Sequence, residues 1–153
     1  MPGVSVRLED FTNLFQLGPR LNDLIELDRH CLPAEAWDRD RWIRFIEAGV
    51  LVTLAFEGPV LVGFQAFRNV IDETELLKLG VDQSWRRKGL GSYIVSHLMD
   101  AMPPEHRLFL EVRKSNQPAQ VLYRKLGFTD LGHRRNYYLN PREDALIFSY
   151  QKK

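Results

Sequence analysis

Leu76-Leu77-Lys78-Leu79-Gly80-Val81-Asp82-Gln83-Ser84-Trp85-Arg86-Arg87-Lys88-Gly89-Leu90-Gly91 is the stretch on which the reading of this chain turns. Leu76 to Val81 is short and nearly continuously apolar, which suits a buried strand. After Gly89 the apolar residues Leu90, Ile94, Val95, Leu98, Met99 and Met102 recur with helical spacing, giving a helix one buried face before Pro103-Pro104 ends it. A strand, a basic glycine turn and a helix together make a phosphate cradle. Glycine lets a ligand approach the backbone, the first amides of an uncapped helix point outward, and the helix dipole adds partial positive charge there. Arg86, Arg87 and Lys88 strengthen that field.

A nucleotide-triphosphate loop needs Gly-x-x-x-x-Gly-Lys followed by Ser or Thr, and no lysine follows Gly91 here. The dinucleotide fingerprint needs a third small residue where this chain has Ile94, so Gly89-x-Gly91 matches it only in part. Arg86-x-x-Gly89-x-Gly91 instead resembles the acyl-CoA pyrophosphate loop of the GNAT superfamily of N-acetyltransferases. Taken alone, the hexapeptide serves equally well as a surface turn with solvated charges ahead of an ordinary helix.

Downstream, Arg107-Leu108-Phe109-Leu110-Glu111-Val112 reads as a second buried strand, and strand, helix, strand implies a right-handed parallel crossover. Asn116 can cap a helix whose first turn takes Pro118 and whose apolar set Ala119, Leu122, Tyr123 and Leu126 runs to Gly127. Two strands, about Leu131 to Tyr138 and Ala145 to Tyr150, then enclose a loop from Leu139 to Asp144. Upstream, Val4 to Leu8 alternates as a first strand, and helices are expected through Leu21 to Asp28 and from Trp42 to Gly49. Val50 to Phe56 and Val60 to Val70 form a hairpin about Glu57-Gly58-Pro59, and a turn at Asp72-Glu73 returns the chain to the Leu76 strand. An antiparallel meander thus feeds the phosphate turn.

With 153 residues the chain suits one domain, spanning residues 1-153. Charged residues at 27% and hydrophobic ones at 44% are ordinary for a soluble globule, and a formal charge of +1 supplies no whole-protein field for nucleic acid. No apolar stretch approaches the roughly 20 residues needed to span a bilayer. Met1-Pro2-Gly3-Val4 lacks a signal-peptide core, so a cytoplasmic protein without membrane contact is expected. Cys31 is the only cysteine, which leaves no internal disulfide, and with His30 it makes no metal-ligand spacing; no metal is expected.

Glu111 is the one charged side chain inside the apolar run Leu108 to Val112, and a carboxylate buried without a role or partner is costly. It is either paired with Arg113 or another arginine, or it is a base or water-positioning group. Tyr123 likewise is either a core aromatic whose hydroxyl finds a backbone partner or a proton donor.

Leu110-Glu111-Val112-Arg113-Lys114-Ser115-Asn116, continuing to Leu122-Tyr123-Arg124-Lys125-Leu126-Gly127-Phe128, is very similar to the core of the GNAT acetyltransferases. Arg134-Arg135-Asn136-Tyr137-Tyr138, with Arg142-Glu143-Asp144-Ala145 after it, resembles more narrowly the RimI group, which acetylates the N-terminal alanine of a small-subunit ribosomal protein. The resemblance implies an α/β (α+β) mixed sheet of about six to seven mostly antiparallel strands, with a parallel splayed pair and flanking helices. It implies acetyl-CoA as co-substrate, Glu111 as general base and Tyr123 as general acid. Leu79, Gly80 and Val81 would meet the acetyl and pantetheine portion, Arg86, Arg87, Lys88, Gly89, Leu90, Gly91 and Ser92 the pyrophosphate, and Asn116 the cofactor. Trp37, Arg135, Tyr137 and Tyr138 would line the acceptor site. The implied partner is a protein or peptide N-terminus, possible as that of a small-subunit ribosomal protein, with the enzyme a monomer and no nucleic acid bound. A backbone amide near Val81, freed by a bulge at Gly80, is expected to stabilise the developing oxyanion, and transfer is expected to be direct, without an acetyl-Cys31. Acceptors such as lysine, a polyamine or another small amine, and a non-catalytic acyl-CoA sensor, are the alternatives.

Overall fold

The computed structural model describes residues 5–153, so Val4 of the expected first strand lies outside the described residues. Seven strands are present: β1 (Val6–Phe11), β2 (Leu51–Glu57), β3 (Val60–Val70), β4 (Glu73–Val81), β5 (Arg107–Arg113), β6 (Thr129–Leu139) and β7 (Arg142–Gln151). They form one sheet in the order β1-β2-β3-β4-β5-β7-β6, antiparallel at every step except the parallel β4/β5 contact. The helices are α1 (Leu14–Leu17), α2 (Leu21–Cys31), α3 (Arg39–Glu47), α4 (Leu90–Ala101) and α5 (Gln117–Lys125). None among the described residues is long and apolar enough to cross a membrane.

Helices cover both faces. Leu54 and Ala55, neighbours in β2, turn to opposite clusters: Leu54 joins Leu24, Trp42 and Phe64 under α2 and α3, while Ala55 joins Leu90 and Ile94 of α4. A third cluster seats Val95 and Leu98 of α4 with Leu108, Leu110, Tyr123 and Phe148. The helix ends are written locally. Asp38 accepts the Arg41 amide at 2.8 Å and starts α3 three residues ahead of the expected Trp42, and Asn116 accepts the Ala119 amide as expected for α5. Gly49 and Gly127 follow α3 and α5 with φ of 105° and 99°, a conformation that glycine takes without strain.

The β4/β5 pairing covers only Glu73 to Leu76 against Arg107 to Leu110. Beyond it the two strands part, with Lys78 to Val81 held by β3 and Glu111 to Arg113 held by β7. The Asp82 amide donates to the Val62 carbonyl at 2.9 Å, which fixes the phase of the β3/β4 ladder. Bonded pairs alternate along antiparallel strands. Phe64 with Gly80 is therefore the next bonded pair, and the amides of Leu79 and Val81 face away from β3, into the gap that β5 has left.

Three expectations change. The bulge in β4 lies at Leu77, between the Ala66/Lys78 and Phe67/Leu76 pairs, whereas Gly80 keeps regular register opposite Phe64. Gly80 is small because the Phe64 ring packs over it: a Cβ there would lie 2.3 Å from the ring carbon Cε1. The turn expected at Asp72-Glu73 is Ile71-Asp72, since Glu73 already pairs with Val70. The loop expected from Leu139 to Asp144 shrinks to Asn140-Pro141, because Leu139 pairs with Arg142 and Tyr138 with Glu143.

Gly80→Ala is expected to destabilise the protein by about 1–3 kcal/mol through overpacking against Phe64, read as a lower urea midpoint at unchanged slope. Gly89→Ala, which meets open space at φ 84°, should lose no more than about 1–2 kcal/mol from backbone strain alone. A Gly80→Ala variant as stable as the wild type would remove the packing explanation.

Candidate active site

A cavity of about 650 Å³ fills the gap between the parted strands. Leu77 and Leu79 of β4 form one wall, Glu111 and Arg113 of β5 another, Leu122 and Tyr123 of α5 close the floor, and Trp37, Tyr137 and Tyr138 border the far end. Asn116 also reaches it. Of the residues expected to line the acceptor side, Trp37, Tyr137 and Tyr138 are brought together, but Arg135 is not. Between the Arg134/Ala145 and Tyr138/Glu143 pairs, β6 advances four residues while β7 advances two, and Asn136 has φ of 51°. This bulge breaks the simple alternation read from Arg134 to Tyr138 and leaves Arg135 exposed, off the cavity.

The basic glycine turn lies past the end of β4. Gly89, at φ 84°, starts α4 without any side-chain cap, so the Gly91 and Ser92 amides of the first turn have no intrahelical partner. Arg87 holds φ of 62°, unusual for a residue with a side chain. Gly91 has a packing role that its motif position does not reveal: a Cβ would lie 2.8 Å from Leu122 Cδ1, so the glycine lets α5 approach α4. The three cations are not equivalent. Arg86 turns back, donating to the Val81 carbonyl at 3.3 Å and the Cys31 carbonyl at 3.5 Å, and Lys88 sits over the Trp85 ring. The turn therefore offers anions backbone amides first and Arg87 and Lys88 second.

Glu111 is paired on one side only. Its Oε1 lies 3.3 Å from Arg134 Nε, while Oε2 is buried without a hydrogen-bond partner. One oxygen is neutralised by an exposed arginine, and the other is shielded from solvent and unpartnered, in a side chain that lines the cavity. Tyr137 stands beside it, its phenol pushed up first by burial and then by the Glu111 carboxylate. Tyr123 is 6% exposed, edge-on to Phe128 and Phe148. Burial raises its phenol well above the ordinary value, with a smaller push from Tyr138, so it is fully protonated at neutral pH.

Two charged groups escaped the sequence reading. Lys78 and Asp28 form a buried pair at 2.8 Å, with side chains 3% and 0% exposed. Lys78 also donates to the Glu35 carbonyl, and Asp28 Oδ2 accepts the Trp37 amide at 3.0 Å and Trp42 Nε1 at 3.1 Å. Burial lowers Lys78 and raises Asp28, and their attraction opposes both shifts. The signal was available: Lys78 interrupts an apolar strand just as Glu111 does. The second is the Arg113 cluster: Arg113 was expected as one partner for Glu111, but Glu111 meets Arg134 and Arg113 joins Glu35 and Glu143 across the cavity. Nothing local announces it, because its partners lie 78 and 30 residues away.

The profile described as the acetyltransferase (GNAT) family matches residues 20–128. The ribosomal protein bS18-alanine N-acetyltransferase of Escherichia coli is 40% identical over 93 residues, which make up 58% of this chain and 63% of that one, less than two thirds of its length. The protein of the same name from Haemophilus ducreyi is 30% identical over 146 residues, covering 92% and 93% of the two chains. The crystal structure of the E. coli ribosomal-protein-alanine N-acetyltransferase aligns with a TM-score of 0.80 at 27% identity, covering 96% of this chain and 94% of that one. Naa50 of Arabidopsis thaliana, in complex with a bisubstrate analogue, aligns with a TM-score of 0.76 at 27% identity, covering 96% and 99%.

Lys78→Met would leave the Asp28 carboxylate buried and unpaired. Denaturant unfolding is expected to register a loss of about 3–5 kcal/mol, and a loss below about 1 kcal/mol would mean that the pair is not closed in solution.

Proposed function

The chain belongs to the acetyltransferase (GNAT) family, and from that premise we propose that residues 1–153 act as one N-acetyltransferase domain, transferring acetyl from acetyl-CoA to the N-terminal α-amine of a protein. The proposed acceptor is an alanine terminus of a small-subunit ribosomal protein. The observation that carries the activity is the buried, unpartnered Oε2 of Glu111, on a side chain lining the gap toward which the Leu79 and Val81 amides turn. The acceptor is supported by the ribosomal-protein-alanine N-acetyltransferases, one of them matched along nearly the whole chain.

The residues present suit the donor. Backbone amides of β4 that β3 does not use can bind an extended amide-bearing arm along the gap, and the uncapped start of α4 can bind the pyrophosphate. Asn116 has its side-chain oxygen committed to the Ala119 amide, which leaves its NH₂ for the ligand. Bound acetyl-CoA supplies an activated acetyl thioester. Glu111 Oε2, directly or through one water, takes the proton of the incoming amine. An α-amine with a pKa of about 8 is already roughly one-tenth free base at neutral pH, against about 0.04% for a lysine, so the main task of the base is to take the proton that the nitrogen sheds as it attacks. The Val81 amide, turned away from β3, would donate to the carbonyl oxygen as it gains charge. Tyr123 gives its phenolic proton to the leaving thiolate, and burial keeps that phenol protonated until the thiolate forms.

Direct transfer fits better than a covalent relay. Burial pushes the Cys31 thiol up to about 11, so almost no thiolate exists at neutral pH, and Cys31 is outside the cavity lining.

Glu111→Gln is expected to lower kcat by about 10²–10⁴-fold while leaving acetyl-CoA affinity by calorimetry unchanged; Tyr123→Phe should act in the same direction. Unchanged turnover in both variants would remove these two residues from the chemistry, and a wild type that binds acetyl-CoA without acetylating any amine would favour a domain that only binds acyl-CoA. For the acceptor, peptides differing in their first residue are incubated with acetyl-CoA and read by mass, alongside N-blocked peptides containing lysine. Acetylation confined to the blocked lysine peptides would overturn the α-amine reading.

A further inference from the structure

Arg113 ends β5 two residues beyond Glu111, and both line the cavity. Its guanidinium is used almost completely. Nε donates to the Glu35 carboxylate, Nη1 to Glu143 Oε1 at 3.2 Å and to the Pro141 carbonyl at 2.9 Å, and Nη2 to the Asn140 carbonyl at 3.2 Å. Its face covers the Tyr138 ring at 4.2 Å. Glu35 sits in the segment between α2 and α3, whereas Asn140, Pro141 and Glu143 belong to the β6/β7 hairpin. One side chain therefore ties the two walls together.

Each wall is anchored behind the arginine. On one side the Glu35 carbonyl accepts Lys78, which pairs with Asp28, which holds the amide of Trp37. On the other, Glu143 accepts the Ser115 amide with Oε2, and that contact first, then Arg113, holds its carboxyl below the ordinary value. Trp37 and Tyr138 are the aromatic residues these anchors carry, and they border the acceptor end of the cavity. Without the guanidinium, Glu35 and Glu143 would face each other as two carboxylates with no cation between them, and their repulsion would drive the walls apart. A lysine cannot replace it, because a point-like ammonium cannot span two carboxylates and two carbonyls at once.

We propose that Arg113 is a positioning residue that sets the width of the acceptor end by strapping the Glu35–Trp37 segment to the β6/β7 hairpin. The proposal deepens, and rests on, the assignment of this end of the cavity to a peptide N-terminus. Acetyl-CoA lies mainly along β4 and α4 in that assignment and comes near the strap only at Asn116, whose amide donates to the Arg113 carbonyl, so the two substrates should respond differently.

The test compares Arg113→Gln, Arg113→Lys and Glu143→Gln with the wild type. Arg113→Gln is expected to raise KM for an alanine-initiated peptide by about tenfold or more while the acetyl-CoA KM stays within about twofold, with Arg113→Lys recovering only part of the loss. Hydrogen exchange needs no acceptor: Arg113→Gln should speed exchange about tenfold or more in both residues 33–37 and residues 139–143. An unchanged peptide KM, an equal rise in both KM values, or unchanged exchange in both segments would overturn the strap. A wild type that acetylates no peptide N-terminus defeats the acceptor assignment alone, because the exchange comparison still judges the strap. If Arg113→Gln does not fold, Glu143→Gln carries the same expectations at smaller amplitude, about threefold in each readout.

Discussion

Everything at the candidate site hangs on the parting of two parallel strands. β4 and β5 share a ladder only from Glu73/Arg107 to Leu76/Leu110, and then each is retained by its other neighbour. A strand that loses a neighbour leaves a row of amides and carbonyls without partners, which is unfavourable in a dry interior and useful where a ligand can complete the ladder. Leu79 and Val81 present such amides, and the Glu111 carboxylate stands across the gap. Parallel pairing matters here because its crossover carries α4 between the strands, and α4 brings its uncapped start to the mouth of the same gap.

A gap inside a sheet needs stiff walls, and charges supply much of that stiffness. Asp28 with Lys78, and Arg113 with Glu35 and Glu143, are costly to bury but held by ion pairs and several hydrogen bonds. Such groups add little net stability compared with apolar packing. Their geometry, however, admits few alternatives, which suits a site whose aromatic borders Trp37 and Tyr138 must keep a fixed separation. Glu111 keeps one buried oxygen without a partner, where an unsatisfied acceptor has chemical use.

Several residues serve the fold and the proposed chemistry together. Asn116 caps α5 with its oxygen and has donors to spare, Gly91 admits α5 while leaving its own amide open, and Tyr123 packs against Phe128 and Phe148 while its phenol remains a proton source. In each case the two uses engage different atoms of one residue, so neither excludes the other.

The sequence alone determined the order and kind of the elements, the phosphate turn after the Leu76 strand, and Glu111 and Tyr123 as the groups needing an explanation. Those features are local: apolar periodicity, glycines at turns, a cap three residues ahead of its amide, a charge inside an apolar run. The tertiary structure alone decided where β4 and β5 part, that the bulge falls at Leu77, that the β6 bulge turns Arg135 away, and that Arg86 is spent on the carbonyls of Val81 and Cys31. It alone joined Arg113 to carboxylates 78 and 30 residues distant. Register, bulges and ion pairs between remote segments are settled by how whole elements pack, and a single sequence carries no local record of that packing.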